Sequence, residues 1–529
     1  MLRQMPKQSS FYSILYNKIP ENHILKRINS VVDFKFINEL LADSYCKDFG
    51  RPAKEPEMMC KLLILQHLYN LSDERVIEEA NLNLAYMYFI GINPEDTLPN
   101  KSLLAKFRCH RLKEVTLDEI IKEIVRQCVD KGVIDGKSVS IDSTHIIANT
   151  IRKTPERLMK HLAKKIITTY EKETEKTLSN IESAPNYKEI DDHKEAKRIM
   201  KEYLENVIRQ VESSISTDLT ETQKQIEMAK EILKDPKFIV QKGCRSIIDK
   251  DARVGKKSKH NNFYGYKTEF VMTTKERIIT SVRTADGAYV DGNYTKEMLE
   301  DTVQSNIEID EVYADKGYFR KPILEAIEEI KAKPYIPVSA VVYRLDESKF
   351  SYNKDSDEWI CQQGNRTVKR RRYIKKSKNS KTGYREGYEY YFEMTQCKSC
   401  PLHDECAKKS TRKILNIGLN TAEFYDISQY QKTEEFKEKY KKRASIEGKN
   451  AELKRFHGLY RARGYGLVSV SKQSKLAAIA VNIKRIAGII SSHTTLYFKI
   501  ICSNSINYIK IRFFSRKVLT FSLIPNRPF

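Results

Sequence analysis

The sequence of residues 262–336 predicts strands that alternate with helices, and this pattern limits the fold classes that the whole chain can adopt. The stretches FYGYKTEFVMT and RIITSVRTA, rich in β-branched and aromatic residues, predict two strands. A helix from about Tyr294, the strand IDEVYAD, a helix over 320–331 and the strand KPYIPV follow. The apolar stretch SVSID at 138–142 adds an earlier strand, which we predict to end at Asp142. Strands followed by alternating helices predict one mixed α/β sheet covered by helices.

The remaining segments surround that predicted sheet. At about 100–200 residues per domain, 529 residues predict roughly three or four folding units. Residues 1–130 are predicted to form a helical domain, and the interleaved acids and bases of 151–245 predict an insert of two or three long helices. Residues 340–435 form a Cys- and Lys-rich insert, and 491–529 an apolar, basic tail of unassigned role. The sheet is then assembled from three segments, 131–150, 246–339 and 436–490.

The N-terminal segment has the spacing of packed helices. The apolar residues Met58, Leu62, Leu65 and Leu68 recur every three or four positions, which predicts a helix with one buried face. A second helix is predicted to follow a cap at 72–73, and a third to open at 99–102. Three short helices joined by tight turns suit either a helix-turn-helix reader of DNA or a dimerisation module.

The net charge of +24 comes from two acid-free stretches. Residues 453–529 contain 14 Lys and Arg, and residues 366–385 contain ten. Such basic patches indicate a polyanionic partner, most simply nucleic acid, although a basic surface kept for solubility has the same composition. Neither an apolar run of 18 residues nor a signal peptide occurs, so we expect no membrane span. The ten cysteines are expected to stay reduced, as in a cytosolic protein.

Three acidic residues stand where ligands of a metal ion are expected. Asp142 closes one predicted strand, Asp315 closes another in EVYADKGYF, and Glu447 lies in a helix predicted over about 433–456. Carboxylates from adjacent strands and a helix can share two Mg²⁺ ions about 3.5–4 Å apart, which supports in-line displacement at phosphorus. A capping or surface carboxylate is the alternative for each acid taken alone.

The residues around Glu447 make this site more specific. Tyr440, Arg443, Glu447 and Lys454 follow the spacing Y-x2-R-x3-E-x6-K, which places all four on one face of a helix. Arg443 and Lys454 would hold DNA phosphates beside a metal-binding carboxylate. An ordinary salt-bridged helix contains the same residues. His145 is near Asp142 in sequence, but packing is the simpler interpretation of that side chain.

Together these motifs resemble the DDE transposases of bacterial insertion sequences, most of all the superfamily with the Tyr-Arg-Glu-Lys signature. The resemblance runs from about 49 to 490 and includes GRPAKEPEMMCKLLILQHLYNLSDERVIEEA, IDSTHIIANT, NNFYGYKTEF, RTADGAYVDG, YADKGY and KQSKLAAIAVNIKRIAG. Ser143 departs from the family's usual Asp-Gly-Thr motif. The resemblance implies a ribonuclease-H-like mixed sheet with helices on both faces. It also implies the following roles: Asp142, Asp315 and Glu447 as ligands of Mg²⁺ or Mn²⁺, and Tyr440, Arg443 and Lys454 as contacts to DNA.

Four cysteines between the second Asp and the Glu form another candidate metal site, with the spacing C-x35-C-x2-C-x5-C. Four thiolates can close a tetrahedral structural zinc site, and His403 is a substitute ligand. Reduced cysteines without a metal are the alternative. The four cysteines are Cys361, Cys397, Cys400 and Cys406.

The basic run 366–385 lies inside this cysteine cluster. We expect a zinc-held ribbon to present Arg370, Arg371 and Arg372 to the DNA backbone. Contacts of this kind depend on charge and not on base sequence, so base-specific reading would fall to the N-terminal helices.

The resemblance implies an enzyme that binds the terminal inverted repeats of its element, cleaves the DNA ends and transfers the 3′ ends to target DNA by Mg²⁺-dependent phosphoryl transfer. It also implies a homodimer or larger synaptic complex, and a cytoplasmic, nucleoid-associated location. Two other functions stay open: a metal-dependent DNA nuclease without strand transfer, and an inactive transposase-derived DNA-binding protein. The repeat and target sequences cannot be predicted, and Leu496–Phe529 resembles nothing in the family.

Overall fold

The N-terminal part of the chain is helical. The computed structural model describes residues 11–46, 52–150, 153–178, 181–214, 220–234, 238, 246–257, 260–376, 383–503, 509–510 and 522–523. Short 3₁₀ helices cover Phe11–Lys18 and Ala42–Ser44. The α-helices of this region are α1 (Ile24–Val31), α2 (Phe36–Leu40), α3 (Pro56–Leu68), α4 (Asp73–Leu82), α5 (Leu84–Ile90), α6 (Lys101–His110) and α7 (Glu114–Asp130).

Helix α3 is buried on all sides, so the prediction of one buried face was wrong. Every residue from Met58 to Leu68 is buried, including the polar side chains of Lys61, Gln66 and His67. The predicted cap of the next helix is confirmed: the Ser72 hydroxyl accepts a hydrogen bond from the backbone N–H of Arg75.

A six-stranded mixed sheet lies at the centre of the fold. Its strands are β1 (Ser138–Ile147), β2 (Arg253–Lys256), β3 (Asn262–Thr273), β4 (Ile279–Asp286), β5 (Glu311–Tyr313) and β6 (Lys333–Tyr335). The order is β2-β3-β1-β5-β6, and β4 also pairs with β3. Strand β1 is antiparallel to β3 and parallel to β5, and β6 is parallel to β5. The predicted mixed α/β sheet is therefore confirmed.

Gly265 allows β1 and β3 to approach closely at one end of the sheet. A Cβ at this position would lie 2.0 Å from the carbonyl oxygen of Ile146 and 2.7 Å from the backbone nitrogen of Ala148. Any side chain here would therefore push the two strands apart, which gives a physical reason for the glycine in NNFYGYKTEF.

The described residues between β1 and β2 include three long helices, in line with the prediction of a helical insert, and these helices share a hydrophobic core of their own. These are α8 (Pro155–Thr174), α9 (His193–Ser214) and α10 (Thr220–Lys234). Two further helices flank the later strands at the predicted places, α11 (Thr295–Gln304) and α12 (Lys321–Glu329).

The Cys-rich segment is built mainly from strands. Its strands are β7 (Phe350–Asn353), β8 (Glu358–Cys361), β9 (Thr367–Lys376), β10 (Tyr384–Phe392) and β11 (Ile414–Gly418). Strands β7 and β8 pair with each other, and β9, β10 and β11 form a second, antiparallel sheet. Its helices are α13 (Met394–Lys398), α14 (His403–Cys406) and α15 (Thr421–Gln431). Trp359 is fully buried in its separate core.

The helix predicted over 433–456 is interrupted. It consists of α16 (Glu434–Tyr440), a 3₁₀ turn (Lys441–Arg443) and α17 (Ala444–Phe456). The last helix, α18 (Leu467–Ser503), extends beyond the boundary predicted at residue 490. In the tail, β12 (Ile509–Lys510) pairs with β13 (Ser522–Leu523), and residues 504–508, 511–521 and 524–529 lie outside the described residues.

Helix α18 joins the N-terminal helices to the sheet. It packs on α1, α3, α7 and β4, and all of these elements contribute to one continuous hydrophobic core. The N-terminal helices are thus not packed as a separate globule. Within the part of the chain that the structure describes, no helix combines the length and apolar character needed to span a membrane.

Candidate active site

Asp142 lies on β1 just beyond the point where β1 stops pairing with β5. The prediction that the strand ends at Asp142 was wrong, because β1 continues to Ile147 along its antiparallel partner β3. Strand β5 pairs only with Ser138–Ser140. The edge of β1 that β5 leaves free is covered by α17 and the residues after it.

Asp315 follows the neighbouring strand, two residues after β5 ends. Its carboxylate accepts a hydrogen bond of 2.7 Å from the backbone N–H of Gly317 and so caps a 3₁₀ turn. Because β1 and β5 are paired neighbours, the two aspartates lie on adjacent strands, and the charge of Asp315 contributes to raising the pKa of Asp142.

The surroundings of the Asp142 carboxyl group disfavour its negative charge. Burial raises its pKa to about 6, against the attraction of Arg443 and the backbone N–H of Ser143. Repulsion by Asp315 and Asp291 raises this pKa further. A site that disfavours the charge of its own carboxylate in this way is suited to an added cation.

Arg443 links the carboxylates of two elements. Its Nη1 lies 3.0 Å from Oε1 of Glu447, and its Nη2 lies 3.9 Å from Oδ2 of Asp142. The attraction of Asp142 and Asp315 and the hydrogen bond to Glu447 raise the pKa of Arg443, although burial opposes them. The Glu447 side chain itself is 65% exposed. The structure therefore brings Asp142 and Glu447 together at one guanidinium, on which the charge of Asp315 also acts.

Tyr440 lies on α16 and not on the helix of Glu447, yet it remains at the site. Its ring stacks on Phe436, with 5.7 Å between ring centroids. Burial raises the pKa of its hydroxyl, Arg443 opposes this, and Asp315, Asp142 and Glu447 add to it. The interruption of the predicted helix thus separates Tyr440 from Glu447 in secondary structure but not in space.

Glu311 anchors this region to the sheet. Its carboxylate accepts hydrogen bonds from Lys439 and, at 2.8 Å, from Lys442. The Tyr313 hydroxyl donates a further bond of 2.7 Å. These donors outweigh the effect of burial and lower the pKa of Glu311 to about 2. The turn that carries Arg443 is consequently fastened to β5.

Lys454 lies in the last turn of α17, beside β1. Its Nζ is 3.3 Å from Nδ1 of His145, so His145 is at the site and not merely near it in sequence. Burial lowers the pKa of Lys454 to about 8, Lys257 lowers it further, and Asp142 opposes. Burial and neighbouring lysines lower the pKa of His145 to about 4, which leaves its imidazole neutral at neutral pH.

We expect DNA affinity to depend on pH through Lys454. In the free protein its ammonium is protonated below pH 8 and loses its proton as the pH rises through that value, so a phosphate contact weakens. Binding should fall by about fivefold, or roughly 1 kcal/mol, between pH 7 and pH 9. Fluorescence anisotropy with labelled DNA measures it. Lys454→Arg should bind with no such decline, because guanidinium stays protonated; an identical decline in that variant would exclude Lys454 as its source.

Two groups of residues were missed by the sequence analysis. Asn450 donates a hydrogen bond of 2.9 Å from Nδ2 to Oδ2 of Asp142. Its position three residues after Glu447 on the same helix was a usable signal. Glu269 of β3 is buried and accepts hydrogen bonds from the Tyr289 hydroxyl (2.7 Å) and the backbone N–H of Gly292 (2.8 Å). No spacing in the sequence indicates this second group.

The side chains around Asp142 are of the chemical types that bind a hard divalent cation. The buried carbonyl oxygen Oδ1 of Asn450 has no hydrogen-bond partner beside the repelling pair Asp142 and Asp315. Carboxylate and amide oxygens are the ligands that Mg²⁺ and Mn²⁺ prefer. Over the described residues, no three His, Cys, Asp or Glu side chains are arranged so as to hold a metal ion, and Glu447 is engaged by Arg443.

The four predicted zinc ligands line one small cavity of about 30 Å³ together with His403. None of these cysteines forms a disulfide, and the neighbouring thiols contribute to a raised pKa of Cys406, for which burial is the main cause. The Nδ1 of His403 is 2.8 Å from the carbonyl oxygen of Cys397. The cysteines are thus neighbours, although they are not drawn into metal-holding geometry.

The predicted DNA contacts on β9 are exposed but largely paired with acids. Arg370 forms an ion pair with Asp357, and Nε of Arg372 donates to Oε1 of Glu386 at 2.6 Å. Arg371 lies opposite Glu389 in the β9–β10 ladder. Part of the positive charge of this strand is therefore neutralised by acids of β10 and of the turn between β7 and β8.

Two models of known protein families match separate parts of the chain. Residues 13–110 match a family model described as Transposase domain (DUF772), and residues 360–487 match one described as Transposase DDE domain. The second match contains Arg443, Glu447 and Lys454 and also the four cysteines. No solved structure matches the chain.

Proposed function

Because the chain is a DDE transposase of an insertion element, we propose that it binds the terminal inverted repeats of that element, cleaves the DNA ends and transfers the 3′ ends to target DNA. The observation that carries this proposal is the convergence of Asp142, Asp315 and Glu447 on Arg443. We further propose that the sheet is a ribonuclease-H-like core. The strand order β4-β3-β1-β5-β6, antiparallel up to β1 and parallel after it, supports this assignment.

In the proposed mechanism, Asp142 and Asp315 would hold the divalent cation, and Glu447 would be the third carboxylate. When bound, Mg²⁺ or Mn²⁺ activates the attacking oxygen and neutralises charge on the leaving oxygen. Asn450 fixes the orientation of the Asp142 carboxylate by its 2.9 Å hydrogen bond. Arg443 and Lys454 bind phosphates on either side of the acids. No covalent intermediate is required, so water serves as the nucleophile for cleavage and a DNA 3′-hydroxyl for joining.

Several partners follow from this proposal. The N-terminal helices read the repeats, and Arg370, Arg371 and Arg372 contact the DNA backbone. A structural Zn²⁺ held by Cys361, Cys397, Cys400 and Cys406 supports that strand. Two ends must be joined at once, so we propose a homodimer or larger synaptic complex at the nucleoid in the cytoplasm.

A joining assay with precut ends tests the proposed function. Purified protein, Mg²⁺ and DNA ends taken from the flanks of the coding region are mixed with a supercoiled target plasmid. The proposed transposase should insert the 3′ ends into the plasmid. Cleavage of uncut ends without insertion would identify a nuclease. Binding without either reaction would identify an inactive DNA-binding descendant.

A further inference from the structure

The surface next to the proposed active site exposes aromatic rings among cations. We name residues 454–472 the platform segment; it contains no Asp or Glu. Phe456, Tyr460 and Tyr465 are 60%, 56% and 49% exposed. Across the described residues, the other exposed aromatic side chains are Tyr69 and Tyr384. Isolated exposed apolar residues are ordinary, but here three exposed rings fall within ten positions of the sequence, and Nζ of Lys484 lies 5.8 Å from the centroid of the Phe456 ring.

The cations of this segment differ from those of β9. Arg455 and Arg461 are exposed, and neither side chain makes an ion pair with any residue that the structure describes. Arg463 is a structural exception, because it donates hydrogen bonds to the carbonyl oxygen of Leu71 (3.1 Å) and to Oδ1 of Asn70 (2.7 Å). Two arginines interleaved with the rings thus keep their charge for an external anion.

The backbone holds the segment rigidly at the end of the strand that carries Asp142. The N–H of Ile147 donates to the carbonyl oxygen of Tyr460 at 3.1 Å, and the N–H of Ala462 donates to the carbonyl oxygen of Ile147 at 2.8 Å. Leu459 and Ala462 are buried, so the Tyr460 ring between them is left at the surface of an anchored turn. Lys454, at the other end of the turn, contacts His145 of the same strand.

We propose that the platform segment binds unpaired nucleotides, whose bases stack on Tyr460, Tyr465 and Phe456 while Arg455 and Arg461 contact their phosphates. In a duplex the faces of the bases are covered by their neighbours, so exposed rings of this kind gain most from unstacked bases. The source of the unpaired strand, DNA ends opened beside the catalytic acids, rests on the proposed function. The binding itself depends only on the exposed rings and the unpaired cations.

The test compares two DNA probes that differ only in an unpaired 3′ overhang. Anisotropy titrations of the full-length protein should show about tenfold tighter binding of the overhang probe, in the range expected for stacking on aromatic rings. Tyr460→Leu combined with Tyr465→Leu removes two of the three rings and should eliminate most of that preference, while duplex affinity stays nearly unchanged. Tyr460→Phe combined with Tyr465→Phe should retain it, because the rings remain. Leucine keeps the apolar character, so the comparison isolates stacking.

Tyr384→Leu is the matched control, because Tyr384 is 51% exposed and lies within the other basic stretch, 366–385. It should keep the preference of the unaltered protein. An equal preference in the doubly Leu-substituted protein, with unchanged thermal melting, would overturn the inference. End cleavage is assayed separately on the same proteins. If the Leu substitutions remove the preference but the unaltered protein cleaves no ends, the inference about this surface is upheld and the proposed function is rejected. If the unaltered protein cleaves ends but the Leu substitutions leave the preference unchanged, the proposed function is upheld and this inference is rejected.

Discussion

Asp142→Asn is expected to abolish DNA cleavage and end joining while making the protein more stable. Removing one charged ligand should slow cleavage by about 10³-fold or more, since roughly 4 kcal/mol of charge stabilisation in the transition state is lost. The fold, in contrast, disfavours this charge. Burial and Asp315 raise the pKa of Asp142 to about 6, above the value of an unfolded chain. Ionisation between pH 4 and pH 6 therefore destabilises the native state, and the loss persists at higher pH.

The stability effect is measured by urea unfolding in the presence of a chelator. At pH 7 the Asn variant should gain about 1–3 kcal/mol of unfolding free energy, and the gain should vanish below pH 4. Addition of Mg²⁺ should then raise the melting temperature of the unaltered protein but not that of the variant. These readouts do not depend on activity. A destabilised variant would show instead that Asp142 serves the fold.

Asp301→Asn is the matched control for a buried carboxylate with a structural role. Its carboxylate is paired with Lys122 at 2.9 Å and with Arg283 at 2.6 Å. Burial works against its charge, but these two cations and Ser281 outweigh that effect and lower its pKa. Neutralising Asp301 removes the shortest ion pair of both cations, which keep only longer ion pairs, such as those to Glu119 and Asp118, so this variant should lose stability and keep its cleavage activity. A gain of stability in Asp142→Asn and a loss in Asp301→Asn would distinguish an aspartate that serves catalysis from one that serves the fold.

The parts of the site that were predictable depend on short distances in the sequence or on a rule of sheet topology. Asp142 and Asp315 were expected at the ends of adjacent strands, and β1 and β5 are indeed neighbours in the sheet, although β1 runs on to Ile147. The pairing of Arg443 with Glu447 follows from a separation of four residues.

What was not predictable depends on contacts between distant segments. Helix α3 is buried on all sides because α18, about 400 residues later, packs against it. The neutralisation of Arg372 by Glu386 depends on the register of β9 and β10, which the run of like charges in the sequence conceals. The site of Glu269 requires β3 to meet a later loop. Periodicity indicates that a face is buried, but not which segment covers it.

The proposed zinc site leads to the second large effect, because its segment contains the only tryptophan of the chain. Trp359 is fully buried and lies in the same hydrophobic cluster as Cys361, Cys397 and Cys406. If a structural Zn²⁺ holds this cluster, the metal supplies much of its folding free energy, on the order of 10 kcal/mol in small zinc domains. Cys397→Ser should then eliminate bound zinc and expose Trp359, seen as a red shift of its fluorescence.

Cys128→Ser separates this effect from general damage to a core. Cys128 is buried even more completely than Cys397 and lies in α7, within the other hydrophobic core. Its replacement by Ser should lower the melting temperature modestly, because a buried hydroxyl needs a partner, while zinc content and Trp359 emission stay unchanged. A strong chelator added to the unaltered protein should reproduce the Cys397→Ser spectrum. Unchanged emission after chelation, in protein without zinc, would show that the four cysteines are reduced thiols packed in an apolar cluster.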